Sequence, residues 1–308
     1  MSLILALPSK GRLKEQTEAW LADCGAPLKV SGGARGYQAA LAGFPGVEVR
    51  LISAGDIAAA LAGGEAHLGV TGEDLLAESG GASLPLLAPG CGRADLVVAA
   101  PRSWIDVETM ADVDDVAHDI LARTGRRLRV ATKYGVQTRA FFAAHGIADY
   151  RIVESSGATE GAPAAGAAEL IVDITTTGAT LNANGLKVLA DGLILKSEAQ
   201  LAAAPAGDWT AALLAVARGL LGVFEARARG KAAATLAWPP AQDAAARAVV
   251  QAARPGGALV PRDDVFALTQ ALAAAGVGPV VVGEAAYVFE AESPAADRLD
   301  KAIAKQKS

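Results

Sequence analysis

The chain has 308 residues, 52% of them hydrophobic and 20% charged, with a formal net charge of −5. That length buries a sizeable core and suits roughly two domains or lobes, while the acidic balance excludes a broad nucleic-acid surface and leaves any anion site to a few local cations. No run of about 18 uninterrupted apolar residues marks a membrane span, and Cys24, Cys91, His67, His118 and His145 share no ligand spacing, so no metal ligand is expected.

In chain order, the opening Met1-Ser2-Leu3-Ile4-Leu5-Ala6-Leu7-Pro8 reads as a buried first strand of a cytoplasmic protein, being too short and too poor in basic residues for a signal peptide. Apolar runs at 2–7, 47–52, 96–100, 128–131, 170–174 and 192–195 alternate with helical periods. This order predicts an α/β fold with a largely parallel sheet. Glycine stops place three helices: 13–24 before Gly25, with Cys24 in the core, 105–124 before Gly125, and 210–229 before Gly230. A basic, alanine-rich stretch at 225–234 reads as a boundary. Beyond it a separate small α/β unit is expected, with a strand at 233–238, helices at 241–253 and 264–275, and strands at 280–282 and 286–290.

The most informative segment runs from Glu160 to Leu181. Its buried strand ends in Asp173, followed by Ile174-Thr-Thr-Thr177-Gly178-Ala179-Thr180. Backbone N–H groups and hydroxyls converging there can cradle one anion. The segment lacks the Gly-Lys-Ser/Thr ending of a Walker A loop. A carboxylate beside a phosphate cradle repels the phosphate itself, so Asp173, with Glu160 as a second acceptor, suits the hydroxyls of a phosphorylated sugar. The bland alternative is a polar turn with a capping aspartate.

This run resembles the signature of the ATP phosphoribosyltransferases, with its glutamate, glycine, aspartate and Thr-Thr-Gly-x-Thr in register. The resemblance implies that Glu160 and Asp173 bind the ribose hydroxyls of phosphoribosyl pyrophosphate, and Thr176, Thr177, Gly178, Ala179 and Thr180 its 5′-phosphate. Other blocks are similar to the family's. In Ala6-Leu7-Pro8-Ser9-Lys10-Gly11-Arg12-Leu13, Lys10 and Arg12 would be catalytic cations beside the flexible Gly11. Thr71 and Gly72 of Gly69-Val-Thr-Gly72-Glu-Asp-Leu-Leu76, Lys133 and Arg139, and Arg93 would meet phosphates or ATP. Ser53-Ala-Gly-Asp56 departs from the family, standing where many relatives carry an arginine.

The resemblance covers about residues 1–225 and implies a two-lobed fold like the type II periplasmic binding proteins. Lobe I would comprise 1–98 plus 194–229, lobe II 99–193 with the phosphoribosyl pyrophosphate loop, and 230–308 a small C-terminal regulatory or assembly domain. The implied chemistry is that of a pentosyltransferase: N1 of ATP attacks the ribose C1 and pyrophosphate leaves, with Mg2+ as cofactor. This is the first step of histidine biosynthesis. Histidine is then a possible feedback inhibitor, a homo-oligomer is expected, and a separate subunit resembling histidyl-tRNA synthetase is an open alternative. The tail's apparent element order differs from the β-α-β-β-α-β of the family's long form. The rival reading is a non-catalytic two-lobed ligand-binding or regulatory homologue, which paired Glu160 and Asp173 beside a phosphate cradle argue against.

Overall fold

The structure, a computed structural model, describes residues 2–30, 38–155, 157–251 and 255–307. It contains two α/β lobes and a small tail. In chain order the first lobe holds β1 (Leu3–Pro8), α1 (Gly11–Asp23), β2 (Leu28–Val30), β3 (Gln38–Leu41), β4 (Val47–Ile52), α2 (Ala54–Ala62), β5 (Leu68–Gly72), α3 (Glu73–Glu78) and β6 (Leu84–Leu87). The second holds β7 (Ala94–Pro101), α4 (Met110–Thr124), β8 (Leu128–Thr132), α5 (Gly135–Ala144), β9 (Tyr150–Glu154), β10 (Leu170–Thr175), α6 (Ala179–Ala183) and β11 (Leu186–Ser197). The chain then returns through β12 (Ala199–Ala203) and α7 (Ala211–Ala232).

The first sheet has the order β2-β3-β4-β1-β5-β12-β6 and the second β11-β7-β10-β8-β9. Among the described residues the parallel ladders are β1 with β4 and β5, and β8 with β10 and the edge strand β9. The largely parallel sheet expected from the alternating pattern is therefore corrected to two mixed sheets. β3 turns back on β4, and β12 enters the first sheet against β5 because it arrives from the other lobe. The change of sheet falls at residues 88–93 and at Glu198, a few residues from the expected boundaries. These crossings touch, the Ala199 N–H donating to the Cys91 carbonyl at 2.9 Å.

Leu3, Leu5, Leu7 and Val49 pack with Leu21, Cys24, Leu220 and Phe224 on one face of the first sheet. Leu96, Val98, Leu128, Val130, Leu170 and Val172 pack with Tyr134 and Phe142 in the second. Burying each large aliphatic side chain contributes about 1.5–3 kcal/mol, so these apolar faces hold the strands whose ends carry the polar loops.

α4 begins at Met110 instead of 105 because Thr109 and Asp112 form a reciprocal capping box that outweighs the apolar period ahead of it. α7 runs through Gly230 to Ala232. At Gly230 an added Cβ would lie 2.6 Å from the Ala286 carbonyl oxygen and 2.7 Å from that of Ala285, so the residue is a crossing point of two segments of the chain and not a helix stop.

The tail contains β13 (Ala233–Ala237), α8 (Asp243–Arg247), β14 (Gly257–Pro261), α9 (Val265–Ala274), β15 (Val281–Glu284) and α10 (Pro294–Lys307). Its antiparallel sheet, β14-β13-β15, has its own core around Leu236, Trp238, Val260 and Leu272. The expected helix at 241–253 is shorter, and its residues 252 and 253 lie outside the described residues. The expected strand at 286–290 has no ladder partner. It runs along α7, the Val288 N–H donating to the Ala226 carbonyl at 2.9 Å. α10 leaves the tail's core altogether: Ala295, Ala296, Leu299 and Ile303 join the first lobe's cluster.

Candidate active site

β10 is buried through Val172, and its last residues turn outward into Thr176-Thr177-Gly178 before α6 begins. Gly178 has φ 72°, a left-handed conformation costly for any residue with a Cβ, which lets the chain reverse within one residue. The Gly178 N–H donates to Thr175 Oγ1 at 2.9 Å and the Ala179 N–H to Thr177 Oγ1 at 3.4 Å, so two hydroxyls shape the turn itself. Glu160 reaches the same place from a short 3-10 turn, Thr159–Gly161, preceded by Ala158 at φ 49°. A non-glycine residue in this region stores of order 1–3 kcal/mol of strain, a feature concentrated where loops are held for a ligand.

These groups enclose a cavity of about 410 Å³ lined by Arg12, Glu160, Asp173 and the loop from Thr175 to Leu181. Arg12 belongs to the other lobe, and its Nη2 donates to Thr176 Oγ1 at 2.9 Å. Burial holds the Asp173 carboxyl above the usual carboxylate range, with Glu160 and Asp74 adding like charge. The Ile174 N–H, 2.8 Å from Oδ1, and Lys133 pull the other way. A concave wall with donors on one side and two carboxylates on the other can hold a phosphorylated polyol.

Two comparisons bear on what binds there. The family model for ATP phosphoribosyltransferase matches residues 53–217, which include the whole of this loop. The chain is also 62% identical over 312 residues to an ATP phosphoribosyltransferase of Caulobacter vibrioides, covering 98% of each. The chain belongs to the ATP phosphoribosyltransferase family. It is a glycosyltransferase that acts in histidine biosynthesis. A relative in Nitrobacter winogradskyi is 47% identical over 317 residues, covering 97% of this chain and 98% of the relative. In fold, the chain is similar to the ATP phosphoribosyl transferase (HisG:HisZ) complex from Thermotoga maritima, with a TM-score of 0.55 and 25% identity over 72% of this chain and 98% of that one.

Of the residues the family's pattern points to, the structure brings together Arg12, Glu160, Asp173 and Thr176, Thr177, Ala179 and Thr180 around one cavity. Lys10, the N-cap of α1, opens instead on a neighbouring cavity of about 510 Å³ that it shares with Arg50, Ser53 and Asp56. Gly11 begins α1 between these two side chains. Lys133 is exposed beside Asp173, its Nζ 4.9 Å from the Tyr134 ring centre. The Arg93 side chain is 83% exposed and lies 4.0 Å from Glu198, while its carbonyl faces Thr176 Oγ1 at 3.5 Å.

The remaining residues sit elsewhere. Thr71 is buried, its hydroxyl donating to the Ala54 carbonyl at 2.8 Å, and Gly72 caps α3. Arg139 lies over the start of α5 near Gly135 and lines neither cavity. Arg50 lines the second cavity, and its only signal in the sequence is its position three residues ahead of Ser53. Asp74 reads in the sequence only as an acidic residue suited to a helix's first turn.

Proposed function

We infer that this chain transfers the phosphoribosyl group of phosphoribosyl pyrophosphate to N1 of ATP, giving phosphoribosyl-ATP and pyrophosphate in the first step of histidine biosynthesis. The observation that carries the assignment of parts is the Arg12 to Thr176 contact, which sets a first-lobe cation over the second-lobe threonine loop. Thr177 and Thr180 hold the 5′-phosphate from a loop shaped by Thr175, Thr176, Gly178 and Ala179, and Glu160 and Asp173 accept hydrogen bonds from the ribose hydroxyls. ATP enters from the neighbouring cavity beside Lys10 and Arg50, so the Lys10-Gly11-Arg12 turn stands between the two substrates.

Adenine N1 already carries a lone pair, so attack on C1 needs no general base; the C1–O bond breaks and its electron pair leaves with pyrophosphate. Lys10 and Arg12 stabilise that developing charge, and the lobes hold the two substrates in line. Mg2+ supplies further charge neutralisation on the pyrophosphate. Among the described residues no group of three or more His, Cys, Asp and Glu side chains is placed to hold a metal ion. An ion brought in on the substrate's phosphates fits this donor set better than a resident one.

Several properties of the reading lie outside the active cavity. No helix among the described residues is long and apolar enough to cross a membrane. Cys24 and Cys91 are both free, which fits a cytoplasmic, reducing compartment. The exposed Val281, Val282 and Phe289 of the tail supply surface for a homo-oligomer. The likeness to the complex from Thermotoga maritima supports asking whether a second, regulatory subunit is needed. The deciding assay follows phosphoribosyl-ATP formation by the purified chain alone, with and without histidine. Turnover by the single chain establishes the activity and removes the need for a second subunit, and loss of turnover on adding histidine establishes feedback; no turnover by the chain, either alone or with a histidyl-tRNA-synthetase-like subunit added, would remove the catalytic reading.

A further inference from the structure

Asp74 is 5% exposed, yet its carboxylate takes part in no substrate contact described above. A buried carboxylate is retained only where donors replace the water it has lost. Here one donor comes from each of two different parts of the fold. The Tyr134 hydroxyl donates to Oδ2 at 2.6 Å, and the Ser197 hydroxyl donates to Oδ1 at 2.7 Å while its oxygen accepts the Asp74 N–H at 3.1 Å.

Asp74 lies in α3 of the first lobe, Tyr134 in the turn from β8 to α5 of the second, and Ser197 at the end of β11, one residue before the chain crosses back. Capping of α3 explains an aspartate in its first turn but does not explain a fully buried tyrosine reaching it from the other lobe. The same helix makes further bonds across the lobes. The Gln137 amide donates to the Asp74 carbonyl at 2.8 Å, and Glu78, at the other end of α3, accepts the N–H groups of Val136 at 2.8 Å and Gln137 at 3.2 Å.

Gly72 completes the arrangement, since a Cβ there would occupy the place of Asp74 Oδ1. The Tyr134 hydroxyl is held far above its ordinary range, chiefly by burial and then by the Asp74 charge, so it remains a donor at every working pH. The Asp74 charge pushes the Asp173 carboxyl up, and both carboxylates push the Tyr134 hydroxyl up, which fits a junction close behind the ribose wall of the cavity.

We propose that Asp74, Tyr134 and Ser197 are positioning residues, a buried three-way junction that fixes the angle between the lobes and so holds Arg12 over the threonine loop, with Lys10 beside it at the neighbouring cavity. None of the three touches substrate. The ligands to the phosphoribosyl group lie on the second lobe, whereas the cations for the leaving pyrophosphate lie on the first, so a slack junction harms the reaction step more than the binding of phosphoribosyl pyrophosphate.

The test uses the full chain with Tyr134→Phe, which keeps the ring in the core and deletes one donor, and Ser197→Ala, which deletes the other. Steady-state kinetics are paired with distances between spin labels on Glu65→Cys and Glu154→Cys in a Cys91→Ser background; the buried Cys24, its thiol pushed up to about 11, stays unlabelled. Each variant is expected to lower kcat at least tenfold, to change KM for phosphoribosyl pyrophosphate less than threefold, and to broaden the distance distribution. A kcat loss with an unchanged distribution overturns the proposal, as does a broadened distribution with unchanged kcat. If Tyr134→Phe fails to fold, Ser197→Ala decides by the same two readouts. The distances test the junction even if the parent chain shows no turnover, an outcome that would count against the reaction assignment and not against the junction.

Discussion

Arg12 in the first turn of α1 donates to Thr176 Oγ1 at 2.9 Å although 164 residues of sequence separate them. The contact closes one end of the cavity with a fixed, delocalised cation whose planar donors suit phosphate oxygens better than an ammonium does. Arg12→Ala should lower kcat/KM for phosphoribosyl pyrophosphate about 10- to 100-fold, the equivalent of a charge-assisted hydrogen bond of roughly 1.5–3 kcal/mol. Arg12→Lys should recover only part of that loss. Steady-state kinetics at varied phosphoribosyl pyrophosphate make the comparison; full activity of Arg12→Ala would exclude the residue from the site.

Asp173→Asn keeps the shape of the side chain but removes the anionic acceptor for sugar hydroxyls. Affinity for phosphoribosyl pyrophosphate should fall by about 1.5–3 kcal/mol with the thermal midpoint little changed. A calorimetric titration showing wild-type affinity would refute the role.

The pH dependence of that binding carries a sign. The Asp173 carboxyl is raised in the folded chain, burial being the largest cause, and it must be ionised to accept from hydroxyls. Binding should therefore weaken on acidification at a higher pH than for an ordinary carboxylate. Lys133 favours the ionised form, so Lys133→Ala should move the acid limb to higher pH. Glu160 opposes it, so Glu160→Gln should move the limb lower. Titrations across the acid range report both shifts, and movement of the two variants in the same direction would contradict the electrostatics.

Thr175, Thr176, Thr177 and Thr180 all line the cavity, but Thr176 is engaged by Arg12 and Thr175 by the Gly178 N–H at 2.9 Å, whereas Thr177 accepts only the longer 3.4 Å contact from the Ala179 N–H. Replacing Thr177 and Thr180 together by valine keeps volume and deletes two donors. Binding of phosphoribosyl pyrophosphate should suffer about tenfold or more, beyond any effect on ATP. Equal losses for both substrates would indicate a collapsed loop instead of a lost phosphate contact.

The local parts of this site were legible in the sequence because each is one turn of chain: the threonines, Gly178 and Asp173 follow one buried strand, and their order alone implies an anion cradle. The relations across the fold were not. Nothing near Tyr134 announces that its hydroxyl will meet Asp74, and nothing near Lys10 says that it will open on a different cavity from Arg12. The apolar stretch 286–290 reads as a strand, but a strand needs a ladder partner, and this stretch lies against α7. α10 was overlooked although Ala295, Leu299 and Ile303 recur at helical spacing, because its polar face dominates the composition.

That helix changes what removing the tail should do. The sequence alone predicts that deleting 231–308 leaves a folded catalytic core with altered assembly or inhibition, since the expected substrate contacts all lie before Glu225. In the structure Leu299 is 0% and Ile303 4% exposed within the first lobe's own cluster. The buried Glu225 of α7 accepts the Ser293 hydroxyl at 2.6 Å and the Ala295 N–H at 2.9 Å, so the cut would also strip a buried carboxylate of those donors. Losing two large aliphatic side chains costs about 3–6 kcal/mol at 1.5–3 each, and the two hydrogen bonds lost to the ionised Glu225, which among the described residues keeps only Arg229 at 3.8 Å, add about 1.5–3 each. Set against a typical total of about 5–15 kcal/mol, the truncated chain should unfold or aggregate. A gentler variant separates packing from catalysis: Leu299→Ala should lower stability by about 2–5 kcal/mol in a denaturant titration while leaving KM for both substrates unchanged. A truncation at 230 that stays monodisperse and melts cooperatively at the full chain's temperature would show that α10 contributes nothing to the lobe it covers.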